Sequence, residues 1–229
     1  MKPEMILTID VEKDKRGKFY FKEFEEHLNE LKGNKIILFV VPELLIANKQ
    51  GFRKLIKKYE IGLHGYKHER WNVLSLNEKK KRLASAVLSY KKVFGKKPKW
   101  FRAPQFSSDF ELIELLEKNG FAFDSSIVQC PVSQAIFFPK RFFLYIKQCK
   151  FANLIKKKRM KIKEIPVSSY FLPVSMFSLR ILPFFKFYFV AKFSLLFRKD
   201  KKLVFLAHSY EFDAKRTKKL KRFLELFKK

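Results

Sequence analysis

The stretch MILTIDVE, residues 5–12, opens with an apolar run, MILTID, and closes on two carboxylates, Asp10 and Glu12. An apolar run of that length, with no alternation, is what a strand needs when both faces of its sheet are covered, as in parallel sheets. The pattern recurs along the chain. KIILFVV (35–41), EIGLHG (60–65), KWFRAP (99–104), FAFDSSI (121–127), IKEIPVSS (162–169) and KLVFLAHSY (202–210) read as further strands. Helical patterns lie between them. FKEFEEHLNELKG, LNEKKKRLASAVLSYKKVFG and SSDFELIELLEKNG close on Gly33, Gly95 and Gly120, the residue type that ends helices, and the last opens with Ser and Asp at capping positions. Seven strand signals alternating with helices predict a parallel α/β fold, barrel or open sheet. The 229 residues suit a single domain spanning 1–229, with no internal repeat and no Gly/Ser linker.

Hydrophobic residues make up 47% of the chain and aromatic ones 17%, which excludes a disordered class. The formal net charge is +29, so an anionic partner is expected unless the excess is only a lysine-rich composition. The basic bias is strongest from Ser125 to Lys199, where Glu164 is the single acidic residue against 15 Lys and Arg. Within this Phe-rich segment (131–199), FLPVSMFSLRILPFFKFYFVAKFSLLFRK is apolar but broken by Arg180, Pro183, Lys186 and Lys192. It reads either as an element lying in a membrane interface or as a helical layer on the sheet with its lysines solvated. No uncharged run reaches the roughly 20 residues of a membrane span. Cys130 and Cys149 form no CxxC motif or disulfide framework, and the N-terminus shows no signal-peptide pattern. The expected location is cytoplasmic, at most peripheral to a membrane.

Placed on these strands, the polar residues gather. Asp10 and Glu12 end the first strand, and His64 and His68 follow the third; Arg102 closes the fourth, Asp124 lies in the fifth, and His208 ends the seventh. The C-terminal strand ends of parallel α/β folds share one face, where active sites are built. Each residue alone has an ordinary structural reading. Together they form a chemical set. Two imidazoles and a carboxylate can hold a metal with positions left open, and a second carboxylate can act as base toward a water. A further histidine can protonate a leaving nitrogen, and an arginine can orient the base. The reaction such a set supports is metal-assisted amide hydrolysis.

LTIDVE (7–12), GLHGYKHE (62–69), WFRAPQFS (100–107), GFAFDSSI (120–127) and FLAHSYEF (205–212), in this order, resemble the polysaccharide deacetylase family, the NodB-homology or carbohydrate esterase 4 group. The resemblance implies a distorted seven-stranded (β/α) barrel and removal of an N-acyl or O-acyl group from a sugar. It also implies a divalent metal, most often Zn²⁺, with Co²⁺, Ni²⁺ or Mn²⁺ as alternatives. On the matching positions, His64 and His68 would be metal ligands with Glu12, Asp10 the catalytic base, Arg102 its brace, His208 the general acid, and Asp124 the acid tuning that histidine. Pro104, Phe106 and Tyr210 are candidate substrate contacts, the two aromatic rings suited to stack on a sugar, with a core role as the alternative for Phe106.

The first motif departs from the adjacent aspartates of many members. Its Asp10-Val11-Glu12 spacing is similar to a D-x-D or D-x-E branch that includes lipid-linked sugar deformylases. In an extended strand, residues two apart share a face, so both carboxylates can still reach the site. Gly65 stands where the family usually has Ser or Thr, an exchange expected to loosen the histidine loop.

The expected function is therefore removal of an acetyl or formyl group from a sugar, in the narrower reading one carried as a glycolipid at an anionic membrane surface. Alternatives are hydrolysis of a linear or cyclic non-sugar amide and an inactive basic membrane-binding module. No nucleic-acid-binding motif accompanies the charge, so nucleic acid is not an expected partner. The sequence sets no oligomeric state.

Overall fold

The structure of the chain, a computed structural model, describes residues 4–129, 155, 158–169, 172–196, 198 and 200–228. The seven strands are β1 (Glu4–Val11), β2 (Lys35–Val40), β3 (Glu60–His64), β4 (Trp100–Arg102), β5 (Phe123–Asp124), β6 (Lys163–Glu164) and β7 (Lys202–His208). All pair in parallel, in the spatial order β6-β5-β4-β3-β2-β1-β7. The sheet curls into a distorted barrel. Among the described residues no ladder joins β6 to β7, and the segment after β6 spans that side. Ser168 N donates to Val204 O at 3.0 Å, and Leu206 N donates to Val174 O at 2.9 Å.

β4, β5 and β6 are shorter than the apolar runs that predict them, because side chains take over their ladder bonds. Ala103 N donates to Ser126 Oγ at 2.8 Å, Ser125 Oγ to Ile165 O at 2.6 Å and Ile127 N to Glu164 Oε1 at 3.1 Å. The sheet therefore loosens where its backbone must open around Arg102.

Strand alternation sorts the core into two parts. Leu7, Ile9, Val11, Leu38, Val40, Leu63, Phe101 and Phe205 point outward under the helices. Ile6, Ile37, Phe39, Trp100, Val204 and Leu206 fill the barrel interior. Each such buried aliphatic or aromatic side chain contributes about 1.5–3 kcal/mol. Thr8, Asp10 and Glu12 follow Ile6 at the strand period of two, so the inner face of β1 turns polar toward its C-terminal end.

Around the sheet lie α1 (Phe21–Glu30), α2 (Pro42–Ala47), α3 (Lys49–Leu55), α4 (Leu76–Phe94), α5 (Phe110–Lys118), α6 (Met176–Ile181), α7 (Phe184–Leu196) and α8 (Ala214–Lys228). α4 shows how they are specified. A capping box joins Ser75 and Glu78 at its start, Leu83, Ala86, Tyr90 and Val93 form its buried stripe, and Gly95 ends it at φ 72°. Lys79, buried on the same helix, bonds Asp109 Oδ2 at 2.6 Å and Glu111 Oε2 at 2.7 Å, tying α4 to the start of α5.

Much of the basic Phe-rich segment, with Cys130 and Cys149, lies outside the described residues. Its later part forms α6 and α7. Phe187, Ala191 and Leu195 of α7 are buried, with Phe187 edge-on to Phe205 of β7 at 6.1 Å, whereas Phe185 and Phe189 are exposed. A helical layer on the sheet is present, and its outer face is apolar as well.

Candidate active site

Strand register assembles the site. Asp10 on β1 pairs with His208 on β7, and His64 on β3 pairs with Arg102 on β4. Asp10, Glu12, His64 and Arg102 are all buried, although each carries a polar group whose burial needs a partner.

Arg102 finds its partners in every direction. Its Nη1 donates to Asp10 Oδ1 at 2.8 Å, Nη2 to Thr8 Oγ1 at 3.1 Å and to Ser125 Oγ at 2.7 Å, and Nε to Ser125 O at 2.9 Å. The guanidinium also lies 4.2 Å from the centre of the Phe39 ring. A charge held by that many fixed groups cannot move, so Asp10 is fixed with it. The remaining oxygen, Asp10 Oδ2, faces His64 Nε2 at 3.8 Å.

His64 Nδ1 lies 3.2 Å from Arg102 O, a group that can only accept, so Nδ1 carries the hydrogen and Nε2 presents a lone pair. That Nε2 is 3.6 Å from Glu12 Oε2. His68 returns to the same point through a tight turn, with Gly65 at φ 62° and His68 itself at φ 59°. A Cβ on Gly65 would stand 2.7 Å from Pro104 Cγ and 2.9 Å from Trp71 Nε1. Gly65 is thus packed tight, and the looseness expected from its small size is not what its surroundings show.

The imidazoles of His64 and His68 sit 5.4 Å apart, centre to centre, and His68 Nε2 rests against Glu12 Oε2. One donor atom each from Glu12, His64 and His68 lie within 4.8 Å of one another. Glu12 Oε2 is buried and accepts no well-aligned hydrogen bond, although both Nε2 atoms face it. Burial alone would push the Glu12 carboxyl up, but the two imidazoles outweigh it and hold the group far below the usual carboxylate range. An anionic oxygen and two imidazole nitrogens turned toward a common point fit a divalent metal of the zinc type. The longer Glu12 arm does not keep its oxygen from that point.

His208 faces this cluster from β7. Its Nδ1 lies 2.9 Å from Glu211 Oε2, which also accepts from the His208 backbone N–H at 2.8 Å, and its ring stacks on Tyr210. Burial alone would lower the His208 pKa, but Glu211 and the more distant Asp10 raise it above its ordinary value of 6.5. The sequence reading passed over Glu211, although a carboxylate three residues after a strand-end histidine, on a tight turn, is a readable signal.

Asp124 is placed elsewhere. Its Oδ1 accepts from Ser126 Oγ at 2.7 Å, and its other neighbour is Glu164 of β6; burial pushes both carboxyls up. The side chain set against His208 is Glu211. Through Ser126, Asp124 supports the backbone of Ala103 and hence the turn that follows Arg102.

Asp10, Glu12, His64, His68, His208 and Glu211 line a cleft of about 340 Å³ together with Phe106, Tyr210, Val128, Val167, Leu206 and Phe177, whereas Arg102 and Asp124 lie behind its wall. Pro104 is buried beside Gly65. Gln105 and Phe106 both take positive φ, 55° and 54°, backbone strain that turns Phe106 into the cleft.

A family model described as polysaccharide deacetylase matches residues 2–123. The peptidoglycan deacetylase-like protein FGM2 of Gibberella zeae is 38% identical over 68 residues, which cover 30% of this chain and 20% of that protein. The fold is similar to that of BA3943, a CE4 family pseudoenzyme from Bacillus anthracis, with a TM-score of 0.61 and 14% identity over 99% of this chain and 61% of that one. It is also similar to a family 4 carbohydrate esterase from Streptomyces lividans, with a TM-score of 0.58 and 13% identity over 97% and 86% of the two chains. The chain spans a fifth of FGM2 and about three-fifths of BA3943.

Proposed function

Because this chain belongs to the polysaccharide deacetylase family, we propose that it is a metal-dependent hydrolase, acting through one catalytic domain, that removes an N-acyl group from a sugar. One observation carries this reading: Glu12, His64 and His68 bring their donor atoms within 4.8 Å of one another, directly beside Asp10 and across from His208. Fold alone would not suffice, since a structural neighbour is a pseudoenzyme.

Glu12, His64 and His68 would hold the metal, Zn²⁺ foremost. When bound, such an ion polarises an acyl carbonyl and makes a water more acidic. The remaining groups divide the proton transfers. Asp10, fixed by Arg102, takes a proton from the attacking water through Oδ2. His208 gives a proton from Nε2 to the departing nitrogen, its ring oriented by the Glu211 contact at Nδ1. Phe106 and Tyr210 line the cleft with aromatic surface suited to a sugar face.

The acyl group is acetyl or formyl, and the sugar is one carried on a lipid at the cytoplasmic membrane face. The Asp10-Val11-Glu12 motif and the basic, Phe-rich later part of the chain support that choice. Among the described residues no helix is long and apolar enough to cross a membrane. The test is metal analysis of the purified chain, joined to acetate and formate release across N-acyl sugars. A bound divalent ion and acyl release are expected. No bound ion, and no release after Zn²⁺ or Co²⁺ is added, would overturn the reading.

A further inference from the structure

α7 is apolar on two opposite faces, a pattern that a helix at the edge of a water-soluble fold does not need. Phe187, Ala191 and Leu195 satisfy the sheet side. On the other side Phe185, Phe189 and Leu196 are 61%, 59% and 74% exposed. At 100° per residue these three fall within about 40° of one another, so they form one stripe along the helix. On α6, which packs against α7, Phe177 and Ile181 lie one turn apart and are 38% and 50% exposed. Phe177 also lines the cleft that holds the metal-ligating cluster. α6, packed against α7, thus carries exposed apolar side chains of its own, one of which lines the candidate active-site cleft.

Cations surround the stripe. No acidic residue occurs from Met176 to Leu196, whereas Arg180, Lys186 and Lys192 do. Arg180 lies over Phe177 at 5.6 Å and Lys192 over Tyr188 at 5.3 Å. Arg222 of α8 lies over Phe184 at 4.9 Å, on a helix whose only acid is Glu225. Exposed aromatic and aliphatic side chains on α6 and α7, bordered by Lys186 and Lys192 of α7, Arg180 of α6 and Arg222 of α8, match the two layers of an anionic bilayer surface, acyl chains below and phosphates above. A protein partner of opposite charge would account for the cations, but a lone apolar ridge with cations on its borders suits a fluid surface that can close around each ring.

We propose that α6 and α7 form a docking face for an anionic lipid membrane, with Phe185, Phe189 and Leu196 entering the interface and the cleft mouth held at its edge. The inference rests on the proposed function only for what the cleft would then meet, a sugar displayed on a lipid.

The test is flotation of the full chain with vesicles of mixed phosphatidylcholine and phosphatidylglycerol, and with phosphatidylcholine alone, at low salt. The chain is expected to float with the anionic vesicles and to be released as salt rises. Phe185→Ser with Phe189→Ser, both at exposed positions outside the cleft, should lower partitioning about tenfold or more while leaving the melting temperature unchanged. Arg180→Glu with Lys186→Glu should abolish the preference for anionic vesicles. No flotation of the parent chain, or equal flotation of the double serine variant, would overturn the docking face. So would a dimer that forms without lipid and is lost in the serine variant, since a second copy would then be the occupant. Acyl release from a soluble N-acetylated chitooligosaccharide reads the catalytic site separately. Flotation without acyl release from any sugar would leave the docking face standing and sink the hydrolase; acyl release without flotation would do the reverse.

Discussion

Arg102 Nη1 donates to Asp10 Oδ1 across 2.8 Å, and both side chains are buried. The pair joins the fold to the chemistry. Arg102 belongs to β4 and Asp10 to β1, strands separated in the sheet by β3 and β2, so the bond crosses the barrel interior rather than running along a ladder. Replacing Arg102 by Met removes the Asp10 contact together with bonds to Thr8 and Ser125, leaving a buried carboxylate without its counter-charge. Loss of one partner of a buried ion pair typically costs about 3–5 kcal/mol. Arg102→Met should therefore lower the melting temperature strongly, and adding Asp10→Asn should recover part of the loss. A double variant no more stable than Arg102→Met would show that the guanidinium does not answer to Asp10.

Asp10→Asn alone keeps the size of the side chain and the hydrogen-bond acceptor toward Arg102 but removes the carboxylate proposed as the base. Metal content should stay near that of the parent while kcat falls by about 10²–10⁴. Turnover at the parental rate would assign the base to another group, and lost metal would make Asp10 a ligand.

Glu12, His64 and His68 predict the opposite split. His64→Ala and His68→Ala should lose metal and activity together, and Glu12→Gln should weaken metal binding, because a neutral amide replaces an anionic oxygen at the shared point. A chelator should abolish acyl release in the parent, and added Zn²⁺ should restore it. A Glu12→Gln chain that holds metal as tightly as the parent would leave the two histidines needing another partner.

The raised pKa of His208 fixes a pH dependence. In the proposed role of general acid His208 must be protonated, so activity should fall as pH rises through its pKa, which lies above the ordinary 6.5. Glu211→Gln removes the nearest negative charge and should move the alkaline limb of kcat/KM toward lower pH. The same contact contributes to stability. That contribution is complete below pH 6.5 and is lost as pH climbs through the raised value, so the stability gap between parent and Glu211→Gln should close on the alkaline side. An alkaline limb that does not move would separate Glu211 from the proton donor.

The strand ends were legible because a parallel sheet makes local demands. Asp10, His64 and His208 each close an apolar run, and the fold brings such closures to one face. Asp124 shows the limit. Its neighbour Glu164 lies 40 residues on, in a strand of two residues, and no local pattern announces that pairing. α8 was missed because KRTKKLKRFLELFKK reads first as a charge run, and its buried Leu220, Phe223, Leu224 and Phe227 are sparse among lysines. Gly65, standing where the family usually has Ser or Thr, was expected to loosen its loop, whereas its role depends on Pro104 and Trp71, which reach it only in the folded chain.

That packing makes Gly65→Ala a sharp probe of the histidine turn. The new methyl group would meet the Pro104 ring at 2.7 Å, and the backbone would have to hold alanine at φ 62°. Strain of this kind costs about 1–3 kcal/mol, so the melting temperature should drop. His64 and His68 flank the turn in sequence, and moving it displaces one imidazole relative to the other. Metal affinity should therefore fall even in the folded fraction, which calorimetric titration below the melting temperature can read. A variant that loses stability but binds metal as the parent does would show that the turn only supports the fold; loss of both would show that Gly65 sets the spacing on which His64 and His68 depend.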